Sequence, residues 1–319
     1  MALDVVGTLA MRALTIISCL TIVAIVTASY VEERFAADWR GHQDAYKIQL
    51  HSLATTDEDK SMVDEFEVRL RQVDLPSLQR IDRCTSCHLG LEDPRMKGLE
   101  QPHSTHPGDH LAHHDADRFG CTICHDGQGR ATTWKDALAH DWSSYYELPM
   151  LRQPYIQARC YRCHTEELAE TPVYNQGKKL FESSGCLGCH RLGGKGGSEG
   201  PALDGLSDAA PAMKHASAGL MQTLLSRADQ NRNIACLLEA IQYPSAQPAD
   251  SKMFNYSFDD AQSEALAVYL KSFENDALDL RAYVPSPDGV DVPTRSERGA
   301  RLFGLYCSGC HGSGGKGGI

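Results

Sequence analysis

Positive charge is in short supply in this chain of 319 residues: 31 lysines and arginines stand against 42 aspartates and glutamates, a formal net charge of −11. That deficit argues against nucleic acid or an anionic lipid surface as a partner. Sustained apolar runs are scarce too, and the one that stands out, residues 13–30, lies near the N-terminus. Cysteine is the opposite case, because ten of the twelve are consumed by one repeated pattern and only Cys19 and Cys236 are left over. Those two sit far apart in different contexts, so a structural disulfide between them is not expected.

The repeated pattern is Cys-x-x-Cys-His, and it occurs five times: Cys84-Thr-Ser-Cys87-His88, Cys121-Thr-Ile-Cys124-His125, Cys160-Tyr-Arg-Cys163-His164, Cys186-Leu-Gly-Cys189-His190 and Cys307-Ser-Gly-Cys310-His311. Two thiols three positions apart on one helical turn reach the two vinyl groups of a single porphyrin, and the adjacent histidine then lies beneath the iron. A zinc knuckle or a thioredoxin-like pair also uses Cys-x-x-Cys, but neither requires a histidine after the second cysteine every time. The expectation is therefore five haem c groups, attached through the ten motif cysteines, with His88, His125, His164, His190 and His311 as proximal iron ligands. Haem c is attached on the outer side of an energy-transducing membrane, so the bulk of the chain is expected to be exported.

A haem is itself a large apolar body and replaces side chains as packing material. The expected fold class is accordingly mainly α with much irregular structure, in two to three compact units. Residues 13–30 carry no charge, follow Arg12 and precede Glu32, Glu33 and Arg34, a pattern that fits a transmembrane helix with a cytoplasmic N-terminus. A cleaved signal peptide is the competing reading, with Val26-Thr27-Ala28 as the cleavage site. The expectation is a retained anchor over residues 1–30 in the inner, cytoplasmic membrane, with the remainder on the periplasmic side. Residues 31–80 read as a helical connector, because Trp39, Tyr46, Leu50 and Leu53, then Met62, Phe66, Leu70 and Val73, recur at helical spacing before Pro76.

Residues 81–170 contain three of the motifs and little that reads as regular structure, and they are expected to form a loop-rich three-haem module. Histidines beyond the proximal three gather here: His103, His106, His110, His113, His114 and His140. A polar histidine cluster can be a solvated loop, but together these supply the sixth ligands that low-spin irons need. His106, His114 and His140 are the favoured distal ligands, with His110 and His113 in reserve; which serves which iron is left open by the sequence.

From residue 171 the texture changes. Gly177-Lys-Lys-Leu-Phe181 leads into Cys186-Leu-Gly-Cys189-His190, a Gly-rich turn and Gly200-Pro201 follow, and further on come Met253 and a helix whose Ala265, Leu266, Tyr269, Leu270 and Phe273 share one face. This stretch resembles a class I cytochrome c domain, assigned to residues 171–274. The resemblance implies that Gly177, Phe181 and Tyr269 make the crossing of first and last helices, that Pro201 supports His190, and that Met253 is the distal ligand. The family usually has proline directly after that methionine, where this chain has Phe254, so Met213 and Met221 stay as alternatives. Cys236, in Ile234-Ala-Cys-Leu-Leu, reads as buried core. Residues 275–297, with Pro285, Pro287, Pro293 and Gly289, read as a linker. The opening then repeats in Gly299-Ala-Arg-Leu-Phe303 before the fifth motif, so residues 298–319 read as the start of a second, incomplete domain. The expectation is that the chain continues past Ile319 or that another chain supplies the distal cover.

The order of parts, with Arg118-Phe-Gly-Cys-Thr-Ile-Cys-His-Asp-Gly-Gln-Gly129 in its middle, resembles the membrane-anchored multihaem cytochrome c subunits of bacterial quinol-oxidising cytochrome b complexes. What this implies is electron transfer from cytochrome b or Rieske subunits towards a soluble cytochrome c or a terminal oxidase, with the bilayer engaged through residues 13–30. An electron-transfer subunit is thus expected rather than a catalytic one. The competing classes are a multihaem oxidoreductase with one open iron and an extracellular cytochrome filament. The absence of a Cys-x-x-Cys-Lys motif speaks against the first and the anchor against the second.

Overall fold

The computed structural model describes residues 2–78, 80–138, 149–204, 217–246 and 251–273. They fall into two compact units that do not follow chain order: residues 1–72, 83–110 and 131–134 form one, and residues 73–82, 111–130 and 135–319 the other.

In the first unit, helix α1 (Ala2–Val31) is followed by a wider helical turn, Glu32–Ala36. At 30 residues α1 is about 45 Å long, and it is the one helix among the described residues that is long and apolar enough to cross a membrane. Helix α2 (Asp38–Leu53) buries Trp39, Gln43 and Tyr46, spaced at four and three residues and therefore on one face. Helix α3 (Asp57–Asp64) starts at a reciprocal cap in which the Thr56 hydroxyl accepts from Asp59 N–H and the Asp59 carboxylate accepts from Thr56 N–H. The periodicity of Met62, Phe66, Leu70 and Val73 predicts a longer helix than this, and the difference has a local cause. The Gln43 side chain captures both backbone groups of Arg69, donating to its carbonyl at 2.8 Å and accepting from its N–H at 3.0 Å, which holds the chain in an extended form. Phe66 then packs on Tyr46 at 5.8 Å instead of continuing the helical face.

The second unit opens with an antiparallel pair, β1 (Val73–Leu75) and β2 (Arg80–Asp82), in which Val73 lies opposite Asp82. Leu75 and Leu78 bury against Ile123, with Val73 and Phe119 alongside. Between them and residue 171 the described chain forms only single helical turns, as the loop-rich expectation for this stretch requires. Four longer helices follow: α4 (Pro172–Ser183), then, after the short hairpin β3 (Arg191–Leu192) and β4 (Lys195–Gly196), α5 (Ala218–Arg227), α6 (Arg232–Gln242) and α7 (Asp260–Lys271). Asn231 and Asp259 cap α6 and α7 through their side chains, each satisfying an orphan N–H of the first turn. The main packing is α4 across α7, with α6 against α7 behind it. Phe181, Leu224, Ile234, Leu238, Leu266 and Val268 form the centre, each buried side chain contributing roughly 1.5–3 kcal/mol of transfer free energy. Cys236 is buried within α6, as its apolar neighbours predict.

Candidate functional site

The helix crossing in the second unit sets the position of the fourth motif. Gly177 of α4 faces the backbone of α7 so closely that a Cβ there would overlap Ala265 O and lie 2.6 Å from Ala265 C and 2.9 Å from Tyr269 Cβ. Phe181 meets Tyr269 at 5.2 Å, and Tyr174 meets the same ring at 5.4 Å. The three residues expected to make the crossing do make it. Gly185, at φ 68, ends α4 and turns the chain into Cys186–Gly188, where His190 N–H donates to Cys186 O at 2.9 Å.

His190 is oriented from behind. Its Nδ1 donates to the carbonyl of Pro201 at 2.8 Å, which leaves Nε2 as the basic nitrogen. Gly200 is needed at that point, since a Cβ would lie 2.6 Å from the ring carbon Cε1. A thiol pair three positions apart, an imidazole with a fixed tautomer and a glycine cleared from its ring are what a covalently attached porphyrin with an axial histidine requires. Met253 is half-buried in the segment before α7. Beside it Lys252 forms an exposed pair with Glu199 at 3.9 Å, and the Tyr256 hydroxyl, three residues on, is raised in pKa by burial and by its nearness to Cys186 and Cys189.

The third motif is tied to α4. Tyr161, its first intervening residue, stacks on Tyr174 with ring centres 3.5 Å apart and planes within 12°. Its hydroxyl is hydrogen-bonded to the Thr171 hydroxyl at 2.8 Å and lies 3.1 Å from Asn175 Oδ1, which accepts from it. Gln157 Oε1 accepts from the N–H groups of Val173 and Tyr174, capping α4 from the segment that leads into Cys160.

The second and third motifs are joined by buried charge. The turn Thr122–His125 packs on Gln157–Cys160. Asp126, directly after His125, pairs with Arg159 through Oδ2 and with Arg162 through Oδ1 at 3.1 Å, and Arg162 also donates to Ile123 O at 2.9 Å. All three side chains are nearly excluded from solvent, 1% exposed for Asp126 and Arg159 and 4% for Arg162. Burial alone would raise the Asp126 carboxyl; Arg159, Arg162 and, further off, Lys271 outweigh it and hold the group below the ordinary carboxylate range. Asp82 at the end of β2 anchors the other side of the second motif, its Oδ2 accepting from the N–H groups of Cys121 and Thr122 at 2.8 and 2.9 Å.

In the first unit the motif Cys84–Ser86 forms one tight turn, with His88 N–H donating to Cys84 O at 2.9 Å. Gln43 donates to Ser86 O at 2.8 Å, so the side chain that interrupts the helical pattern also holds this turn. Burial and Asp38 push the Cys87 thiol up to about 11. The rings of His88 and Trp134 lie 6.0 Å apart, and His42 meets Trp134 at 6.1 Å.

The expected distal histidines are placed differently from one another. His114 lies 6.0 Å from His164, ring centre to ring centre. His106 bonds through its backbone to Leu91 O, next to the first motif, and its ring meets His110 at 6.1 Å. His103 is buried, with Nε2 donating to His42 O at 2.9 Å. His113 is exposed at the end of a single helical turn. His140, Met213, Cys307, Cys310 and His311 lie outside the described residues. Sequence reasoning missed Asp82, Asp126, Arg159, Arg162, His42 and Trp134. Only His42 carried a usable signal, lying three residues after Trp39 and four before Tyr46, both of which α2 buries.

Residues 174–274 match the family described as Cytochrome c. Those residues therefore form a cytochrome c domain, and with it come haem, iron and haem-based electron transfer as the chemistry of this part of the chain. No curated protein and no solved structure matches the chain.

Proposed function

We propose that this chain is a pentahaem c-type cytochrome, anchored in the cytoplasmic membrane by α1, which relays electrons as the cytochrome subunit of a quinol-oxidising cytochrome b complex. Its electron donor is a cytochrome b or Rieske subunit, and its acceptor is a soluble cytochrome c or a terminal oxidase. Bound haem supplies reversible one-electron chemistry at its iron. The protein's part would be to hold each group in place and to supply ligands to its iron. In the cytochrome c domain Cys186 and Cys189 make the attachment, His190 is the proximal ligand and Met253 the distal one.

The observation that carries the reading is that three Cys-x-x-Cys-His turns lie in one compact unit and are linked in series by packing. The second is bound to the third through Asp126, Arg159 and Arg162, and the third to the helix leading into the fourth through Tyr161 and Tyr174. Close, rigidly registered attachment sites suit a relay, whereas a catalytic haem needs only its own open face.

The experiment is to purify the full chain from detergent-solubilised membranes and to count covalent haem by peptide mass spectrometry. The expected result is haem on all ten motif cysteines, low-spin spectra with negligible carbon monoxide binding for the four motifs within residues 84–190, and co-purifying b-type haem. A high-spin, carbon monoxide-reactive haem among those four would favour the oxidoreductase reading instead. Full haem loading without any b-type haem would remove the assignment to a quinol-oxidising complex.

A further inference from the structure

We infer that His114 and His164 are the two axial ligands of one iron, so that the histidine placed seven residues before the second motif serves the porphyrin of the third. The inference rests on the multihaem reading above and specifies the ligand set of one of its sites.

The rings of His114 and His164 are 6.0 Å apart with planes at 77°. Two imidazoles bonded to one metal from opposite sides, at ~2 Å per metal–nitrogen bond, have ring centres ~6 Å apart. His164 is fixed by the third motif, its N–H donating to Cys160 O at 2.9 Å. His114 is fixed independently. Asp115, the next residue, caps the turn Ala116–Phe119 by accepting from Asp117 N–H at 2.8 Å, and Phe119 at the end of that turn meets the His114 ring edge-on at 5.3 Å. Phe119 is itself packed on the group formed by Leu75, Leu78 and Ile123. The imidazole is thus braced by an apolar platform that includes Ile123 of the second motif, while its ring centre lies 6.0 Å from that of the third motif's histidine.

Spacing alone would not single out this pair. His42 and His103 lie 6.2 Å apart, and His106 and His110 lie 6.1 Å apart. Neither pair contains a Cys-x-x-Cys-His histidine, and in the first of them His103 Nε2 is already committed to the His42 carbonyl. Ligation across motifs also agrees with the rest of the unit, where Asp126 reaches over the same gap to Arg159 and Arg162.

The test uses the full membrane protein with its haems in place. His114→Gly is expected to create one carbon monoxide-binding haem per chain where the wild type has none among these sites, and to remove one bis-imidazole low-spin signal from the electron paramagnetic resonance spectrum. His114→Met, which keeps a sixth ligand and guards against loss of folding, should move one near-infrared charge-transfer band from the bis-imidazole to the imidazole–thioether position. Adding Cys160→Ser and Cys163→Ser should abolish both changes, because the iron they report is then absent. Unchanged spectra in the His114 variants, or a new carbon monoxide site that survives loss of Cys160 and Cys163, would overturn the inference. Peptide mass spectrometry of the wild type reads the underlying proposal separately: absence of haem on Cys160 and Cys163 would overturn that proposal and this inference with it.

Discussion

Replacing Gly177 by alanine sets two known effects against each other, and the structure decides between them. In an exposed helix the exchange would stabilise α4 by up to about 1 kcal/mol, because alanine is the better helix former. Here the added Cβ would overlap Ala265 O and sit 2.6 Å from Ala265 C and 2.9 Å from Tyr269 Cβ, where ordinary contact needs ~3.5–4 Å. The obstructing atoms are backbone or bonded directly to it, so no side chain can rotate out of the way. α4 and α7 must separate by about 1 Å, a gap that forfeits a quarter to a half of each dispersion contact at the crossing. Those contacts include the aromatic meetings of Tyr174 and Phe181 with Tyr269, at 5.4 and 5.2 Å. Overpacking of this kind costs ~1–3 kcal/mol or more, so after the helical gain a net loss of about 2 kcal/mol is expected. In hydrogen exchange that corresponds to a roughly 30-fold faster rate for the amides of Pro172–Ser183 and Asp260–Lys271, with no change in α2. Gly219, also helical but with open space where a Cβ would go, is the internal control: Gly219→Ala should leave those rates unchanged or slow exchange within α5. Equal or slower exchange in Gly177→Ala would refute the close crossing.

Two further outcomes follow from the same contacts. Asp126→Ala leaves the Arg159 and Arg162 guanidiniums buried without their shared carboxylate. Because Arg162 keeps Ile123 O, the loss should be about 3 kcal/mol, read as faster exchange across Gln157–Cys160; a loss below about 1 kcal/mol would show that the cluster is not closed to water. Met253→His replaces a thioether by an imidazole, which stabilises ferric iron more, so the highest potential in a redox titration should fall; an unchanged highest potential would exclude Met253 as the ligand.

Much of the cytochrome c domain was legible because its signals are local or carried by the family pattern. Gly177, Phe181 and Tyr269 meet as expected, the Pro201 carbonyl accepts a hydrogen bond from His190, and the face formed by Ala265, Leu266, Tyr269 and Leu270 is buried. What could not be read were contacts between residues distant in sequence. Asp126 and Arg159 are 33 positions apart, and nothing local distinguishes a surface Asp-Gly from one whose carboxylate is buried beneath two arginines. The same limit explains why α3 was expected to run on to Val73: periodicity registers Phe66 and Leu70 but not Gln43, 26 residues upstream of Arg69, which binds its backbone. The choice among six non-motif histidines was open for this reason too, because which of them approaches a motif depends on how single-turn segments pack.

The buried cluster at Asp126 bears on why a relay would be built this way. An ion pair removed from water seldom adds net stability, since desolvating three charged groups offsets most of what their attraction returns. What it does fix is register. Asp126 follows His125, Arg159 precedes Cys160, and Arg162 lies between Cys160 and Cys163, so each charge sits within one residue of a haem-motif position. A slip of either turn would strand a charge in the interior at a cost of ~3–5 kcal/mol, far more than sliding one apolar surface over another. The Tyr161–Tyr174 stack, with its hydroxyl held by Thr171 and Asn175, restrains the third motif against α4 in the same directional way. Contacts that penalise displacement so steeply keep the neighbouring Cys-x-x-Cys-His turns at a constant separation, which electron hopping between them would depend on if each held a haem as proposed, and turnover at a single substrate-binding iron would not.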